Sequence, residues 1–249
     1  IGGAAIIPPA TGADRDVNLR APVIIGQIVF PQESSPVRNR VRDRGTGNTL
    51  QFQNTNGLAR LEVGGWAEGY VEFEVAAGTT LQSDLQLHVT NLVGHAEHGA
   101  LRLRAGWSGP GGLIKSGPGV ASLTGDGKTY TGATQIEEGV LQVTQPATPT
   151  ASSNVIVRPG GQLRLISRND TGGPRLYFFG GPLWLEGSGR SAAIPDQSAL
   201  GRLGALRYDP GTQGNQATVV NALQLTGPAQ LHVAGARNVL ELVGVISGS

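Results

Sequence analysis

Cysteine and methionine are both missing from this chain of 249 residues. Without cysteine, the chain has no disulfide framework, no thiolate zinc site and no cysteine nucleophile. Without methionine, the numbered chain begins at Ile1 and has no initiator of its own. We therefore expect that an upstream segment has been removed. A signal peptide cleaved during secretion is the simplest explanation and favours an exported protein; the alternative is that the chain is a proteolytic or cloned fragment.

Aromatic residues make up only 5% of the chain and charged residues only 15%. No run of about 18 apolar residues occurs, so the sequence predicts no membrane-spanning helix. The formal net charge is +1, which gives no overall field that would attract nucleic acid or an anionic membrane. We therefore expect neither a nucleic-acid partner nor insertion into a membrane.

Glycine and proline are abundant, with 39 and 15 residues, and this composition favours an all-β protein rich in turns. The clearest pattern lies in residues 111–143, where short apolar runs end at glycine or at small polar residues. Each run is too short for an ordinary helix, so the segment predicts strands separated by turns. The predicted strands are Leu113-Ile114, Val120–Leu123, Thr134–Ile136 and Val140–Val143.

The same segment resembles the autotransporter-associated β-strand repeat, which occurs in the passenger regions of bacterial autotransporters. The resemblance rests on four matching pieces, which are Gly111–Gly119, Leu123-Thr124-Gly125, Thr129–Thr134 and Gly139–Val143. It implies a right-handed parallel β-helix located on the outside of a bacterial cell or secreted from it. It implies no chemistry.

We predict an all-β fold, a right-handed parallel β-helix (β-solenoid) of roughly ten coils. Residues 1–36 form an N-terminal apolar strand segment that serves as a cap or as an inter-subunit strand. Residues 37–249 form the solenoid, with two related modules at about 37–153 and 154–249. The division rests on the similarity between Leu101–Pro110 and Leu240–Ser249.

Two features stand out in the N-terminal part of the chain. Pro22–Phe30 is an apolar run without charge, which predicts a strand covered on both faces. Arg38, Arg40, Arg42 and Arg44 follow at a spacing of two, which places them on one face of a strand. This arginine row is interpreted either as an anion-binding or partner-facing ridge, or as a solvated face that discourages edge pairing.

The candidates for chemistry fail on spacing. Gly125–Thr129 resembles a phosphate loop, but position 122 is Ser122 where such a loop requires glycine. His95, Glu97 and His98 lack the spacing of a known zinc motif. The carboxylates are scattered along the chain, and the tryptophans are more typical of packing than of a sugar-binding platform. The sequence therefore predicts a protein that is not an enzyme, with no catalytic, cofactor-binding or metal-binding residue.

The sequence suggests a structural role. The last residues have the pattern of an internal coil and not of a polar cap, and an open solenoid exposes unpaired backbone groups at its ends. Our first hypothesis is a filament in which copies of the chain join head to tail. The alternative is an adhesin or passenger fragment that acts as a rigid display rod and contacts a cell surface or extracellular matrix. A carbohydrate-active β-helix enzyme is the third hypothesis. The residues predicted for self-assembly are Ile1, Gly2, Gly3, Ile6, Ile7, Ile24, Ile25, Leu240, Leu242, Val245 and Ile246.

Overall fold

The structure is a computed structural model. It describes residues 3–8, 13–31, 37–65, 69–92, 99–144, 148–166, 175–190, 204–209, 215–235 and 237–248. The described chain is built of β-strands without a helix, and every strand pair in it is parallel. None of the described residues belongs to a helix that could cross a membrane.

The strands form two long sheets and two short ones. The ten-stranded sheet contains, in spatial order, β1 (Ala4–Ile6), β4 (Gln27–Phe30), β7 (Ala59–Val63), β10 (Leu85–Val89), β13 (Leu113–Ser116), β15 (Thr134–Ile136), β17 (Val155–Val157), β20 (Leu183–Gly187), β23 (Leu223–Ala229) and β26 (Ile246–Gly248). The nine-stranded sheet contains β2 (Arg15–Asn18), β5 (Arg38–Arg42), β8 (Tyr70–Glu74), β11 (Leu101–Leu103), β14 (Val120–Leu123), β16 (Gly139–Thr144), β18 (Gly161–Ile166), β21 (Leu206–Tyr208) and β24 (Leu231–Val233).

The two short sheets lie in different halves of the chain. The four-stranded sheet contains β3 (Val23–Ile25), β6 (Leu50–Phe52), β9 (Thr79–Leu81) and β12 (Trp107–Ser108). The three-stranded sheet contains β19 (Arg175–Tyr177), β22 (Gln216–Val219) and β25 (Val239–Leu242). Within each sheet the strands follow one another in chain order. This order is that of a parallel β-helix, so the predicted fold class is confirmed; the number of coils stays a prediction.

The core is a column of aliphatic side chains enclosed by the sheets. Alternate residues of each strand point inward, as Leu85, Leu87 and Val89 of β10 do, and these side chains are fully buried. Each fully buried aliphatic side chain of this size contributes about 1.5–3 kcal/mol to the free energy of unfolding. The stack of inward side chains therefore supplies a continuous core from one coil to the next.

Aromatic side chains of successive coils meet in the N-terminal half of the core. Phe52 stacks on Trp107 with ring centroids 6.1 Å apart, and both rings contact Phe73. Phe30 packs edge-on against Phe73 at 6.3 Å. Trp107 is fully buried, which confirms the packing role predicted for it.

The repeat segment folds as the sequence predicts. The four expected strands correspond to β13, β14, β15 and β16, and the observed strands extend the predicted ones by at most two residues. Leu113, Thr134 and Val155 are aligned across β13, β15 and β17, so each turn of the helix takes 21 residues here. The coils of this segment are short because they contribute strands to the ten- and nine-stranded sheets but to neither short sheet.

The N-terminal apolar run differs from the prediction of one strand covered on both faces. The chain turns at Gly26, so the run becomes β3 and β4, which belong to different sheets. Ile25 is buried, whereas the neighbouring Ile24 is 51% exposed. The prediction is wrong because a corner at Gly26 divides the apolar run between two sheets.

The two segments that suggested related modules occupy different sheets. Leu101–Leu103 is β11 in the nine-stranded sheet, whereas Leu240 and Leu242 belong to β25 in the three-stranded sheet. Residues 3–31 contribute the first strands of three sheets. The domain boundaries at 36 and 153 stay predictions.

Candidate interaction surfaces

Both lysines of the chain lie inside the repeat segment, and both are buried at corners between strands. Lys115 is fully buried, and its Nζ donates to the carbonyl oxygens of Ser116 (2.9 Å), Gly117 (2.6 Å) and Glu138 (3.0 Å). Burial lowers the pKa of Lys115 to about 7, against the opposing charge of Glu138. Three backbone carbonyls from two successive coils are therefore held by one ammonium group.

Lys128 does the same at the next corner. Its Nζ donates to the carbonyl oxygens of Ala105 (2.5 Å), Thr124 (2.9 Å) and Gly125 (3.2 Å), and the side chain is 1% exposed. Burial lowers the pKa of Lys128 to about 7, and the charge of Asp126 opposes this shift. Because Nζ faces these carbonyls, the lysine of the phosphate-loop-like sequence is not presented to a nucleotide.

The arginine row lies on β5 and the turn after it, with Arg38, Arg40 and Arg42 on the outward face. β5 lies between β2 and β8 and is not an edge strand, so the arginine row is a partly solvated face but does not discourage edge pairing. Asp16 on β2 is the partner that the sequence did not reveal: it binds Arg40 (2.8 Å), Arg42 and Arg44 (3.1 Å). Burial alone would raise the pKa of Asp16, but the bonds from Arg44 and Arg42 and the charge of Arg40 hold it below its ordinary value.

The carboxylates of β8 also have arginine partners. Glu72 is 2% exposed and lies 3.0 Å from Nη1 of Arg102, while Glu74 lies 2.9 Å from Nη1 of Arg104. Each of the two carboxylates is thus paired with a different arginine of the neighbouring coil. These two residues therefore do not form the paired carboxylates that the enzyme hypothesis requires.

The C-terminal coil, made of β24, β25 and β26, exposes apolar side chains. These three strands are the last strands of the nine-, three- and ten-stranded sheets. The exposed fractions reach 46–74% for the side chains of Leu231, Val239, Val243, Val245 and Ile246. Among the predicted self-assembly residues, Val245 and Ile246 are thus exposed, while Leu240 and Leu242 are half-buried against the core.

The N-terminal coil differs from the C-terminal coil, because it has a charged residue, Arg15, at a strand position that faces the core. Arg15 lies on the same face of β2 as Val17, and it donates from Nε (2.9 Å) and Nη2 (2.7 Å) to Oδ1 of the buried Asn39. An inward-facing charged side chain on the first strand is a known way of blunting a sheet edge.

Some of the predicted self-assembly residues in the N-terminal segment are exposed and others are buried. Ile6 is 71% exposed on β1 and Ile24 is exposed on β3, whereas Ile25 is buried and Ile7 is half-buried against the core. Gly3 is exposed beside β1, and Ile1 and Gly2 lie outside the described residues. Among the described residues of this group, Gly3, Ile6 and Ile24 are therefore exposed.

Other sequence candidates are either outside the described residues or structural. His95, Glu97 and His98 lie outside them, as does Trp66. Within the described part of the chain, no group of three or more histidine, aspartate or glutamate side chains is arranged to hold a metal ion. Trp184 faces outward from β20 and is half-buried.

Residues 113–143 contain both buried lysines, the glycine turns between β13 and β16 and the first of the two 21-residue coils. These residues match the family model described as passenger-associated-transport-repeat. The match confirms the resemblance to the autotransporter repeat. Passenger repeats of this kind form a family of structural or adhesin type and not an enzyme family, and they imply a secreted or cell-surface protein. No curated protein and no solved structure matches the chain.

Proposed function

We propose that this protein is a rigid rod of a secreted passenger-type protein, exposed on the outside of a bacterial cell, which holds its corner loops in fixed positions. The observation that carries the proposal is the passenger-associated repeat located within an uninterrupted stack of parallel strands. Each coil buries inward side chains against the coils before and after it, so the stack resists bending. Such a rod needs neither a cofactor nor a catalytic residue.

Surface exposure is tested on intact cells of the bacterium that makes the protein. An antibody raised against the folded chain should label these cells, and brief external protease should remove the labelling while a cytoplasmic marker stays intact. Labelling that appears only after the cells are opened would contradict the proposal. Electron microscopy of the purified protein should show elongated particles.

Head-to-tail association is a second candidate, and the exposed apolar coil made of β24–β26 is the observation that favours it. Each end of the solenoid presents strand edges, which are those of β1 and β3 at one end, where Arg15 blunts the edge of β2, and those of β24, β25 and β26 at the other. Edge strands offer unpaired N–H and C=O groups to a further strand. A second copy would supply such strands and would cover the exposed apolar side chains.

Light scattering after size-exclusion chromatography tests this association over a range of protein concentrations. The wild-type chain should form species of increasing mass, and Val245→Asp or Ile246→Asp should leave monomers, because a charge at this end opposes burial. Leu58→Asp is the matched control, since Leu58 is 38% exposed and precedes β7, a strand with neighbours on both sides. A wild-type chain that stays monomeric at all concentrations, or assembly that survives both end variants, would overturn the candidate.

A further inference from the structure

One outward-facing position of the nine-stranded sheet carries a polar or charged residue in every strand. We call this row the polar column. In register from β2 to β24 its members are Asp16, Arg40, Glu72, Arg102, Ser122, Gln142, Arg164, Arg207 and His232. Neighbouring strands of a sheet lie about 4.8 Å apart, so adjacent members of the column are within reach of one another.

The N-terminal half of the polar column alternates in charge. Asp16 and Arg40 form an ion pair at 2.8 Å, and Glu72 and Arg102 form another at 3.0 Å. Opposite charges directly across a strand pair stabilise a sheet, whereas like charges destabilise it. Each arginine of this half therefore has a carboxylate within the column itself.

The C-terminal half places two arginines side by side without a carboxylate in the column. Arg164 and Arg207 are aligned on β18 and β21, and they share Asp209, which follows β21. Oδ2 of Asp209 lies 2.7 Å from Nη2 of Arg164 but 3.4 Å from Nη2 of Arg207. One carboxylate thus faces two guanidinium groups, and the closer contact goes to Arg164.

Both guanidinium groups are buried, since Arg164 is 6% and Arg207 2% exposed. The Nε atoms of both side chains are buried and have no hydrogen-bond acceptor in the described part of the chain. Buried charges in proteins are normally paired, and a guanidinium carries five N–H donors. Among the described residues, these two positive charges face one negative charge, so one further anion would balance them.

We propose that Arg164 and Arg207 together bind a small oxyanion group, such as a carboxylate, sulfate or phosphate. Two planar guanidinium groups match the paired oxygens of such an anion. His232 is the next member of the polar column, beside Arg207, and is half-buried. Burial and the charge of Arg207 lower the pKa of His232, so its imidazole is neutral at pH 7 and adds no third positive charge.

The site is tested by thermal unfolding and isothermal titration calorimetry with sodium sulfate, sodium phosphate and sodium glucuronate, at constant ionic strength kept with sodium chloride. At least one of these anions should raise the Tm of the wild-type chain in a saturable way. Arg207→Gln should weaken the apparent affinity by a factor of about 10 or more, because charge-assisted hydrogen bonds are lost. The anion that saturates at the lowest concentration identifies the group that the site prefers.

Arg102→Gln is the matched control, because it removes a guanidinium from the same column where Glu72 already balances the charge. This variant should keep the wild-type anion affinity. Arg207→Lys keeps the charge but loses the planar fork, and it should bind more weakly than the wild type even where Arg207→Gln fails to fold. The proposal is wrong if none of the three anions gives a saturable effect, or if Arg102→Gln and Arg207→Lys change the affinity equally.

Discussion

Lys115 occupies a strand position whose side chain points inward, toward the core. It is aligned with Leu87 on one side and Ile136 on the other, and both neighbours are fully buried. A buried ammonium is costly unless its donors are satisfied, and here three carbonyl oxygens at a corner satisfy them. The lysine therefore acts as a cross-link between the backbones of two coils.

The depressed pKa of the two lysines predicts that stability rises with pH above neutrality. In the folded chain the pKa is about 7 for both Lys115 and Lys128, whereas an unfolded lysine has a pKa near 10.5. Between these values the unfolded state binds more protons, so the free energy of unfolding increases by up to about 1.4 kcal/mol per pH unit and per lysine. Below pH 7 this contribution stays constant. Denaturation by guanidinium chloride at pH 7, 8 and 9 measures the slope.

Lys115→Met isolates one of the two contributions, because methionine has no proton to lose in this range. The slope of this variant should be smaller than that of the wild type. Ile136→Val is the control, since it weakens the same part of the core without changing a titrating group, and its curve should run parallel to the wild type. Parallel curves for Lys115→Met and the wild type would show that Lys115 keeps its proton in the folded chain throughout the range.

Residue alternation could have revealed the buried lysine but not the ion pairs. Leu113 and Lys115 are two apart in a strand, so the sequence places both on the inward face. Asp16 and Arg40 are 24 residues apart, and Arg164 and Asp209 are 45 residues apart. Because the coils differ in length, such partners become visible only once the register of the strands is known.

At the scale of the element, the repeat segment was predictable because glycine marks every corner. Gly139 begins β16 with φ +72°, and a Cβ at this position would lie 2.4 Å from the carbonyl oxygen of Gly117. The β3 and β4 pair was missed because only Gly26 marks that corner, inside an apolar run. Strand positions can thus be predicted where several glycines mark the corners, and they are predicted wrongly where a single glycine marks a corner.

Gly112 provides a test of how closely the coils approach each other. A Cβ at Gly112 would lie 2.2 Å from the carbonyl oxygen of Ala133 in the next coil, so Gly112→Ala must separate two backbones. Over-packing of this kind costs about 1–3 kcal/mol, and the free energy of unfolding should fall by that amount. Urea denaturation followed by circular dichroism measures the difference.

Gly106→Ala is the matched control, because its Cβ would meet its nearest neighbour, the carbonyl oxygen of Gly127, at an ordinary 3.5 Å. This substitution should change the stability by less than about 0.5 kcal/mol. Equal losses in the two variants would mean that the coil spacing at Gly112 adapts freely to a methyl group.

At the scale of the whole molecule, a solenoid gains stability from contacts between neighbouring coils. The strands β13–β18 have neighbours on both sides, and inward side chains such as Leu113, Leu141 and Leu163 are at most 1% exposed. The strands β24–β26 have a neighbour on one side, and Leu231 and Ile246 remain about half exposed. The fold class can be predicted from the strand pattern of the sequence. The difference in burial between the central and the terminal coils cannot, because it depends on which strands are neighbours.

Hydrogen exchange should therefore be graded along the solenoid. In the 249-residue chain at low concentration, the amides of β24–β26 should exchange first, because opening this coil exposes the least further apolar surface. The amides of β13–β18 should exchange last, since they open only when both neighbouring coils separate. Mass spectrometry of peptides after deuterium exchange measures this order, and equal protection along the chain would contradict it.

If copies associate through the C-terminal coil, protection of β24–β26 should increase with protein concentration, and Ile246→Asp should abolish the increase. The same experiment thus distinguishes a coil that is weak on its own from one that a second copy covers.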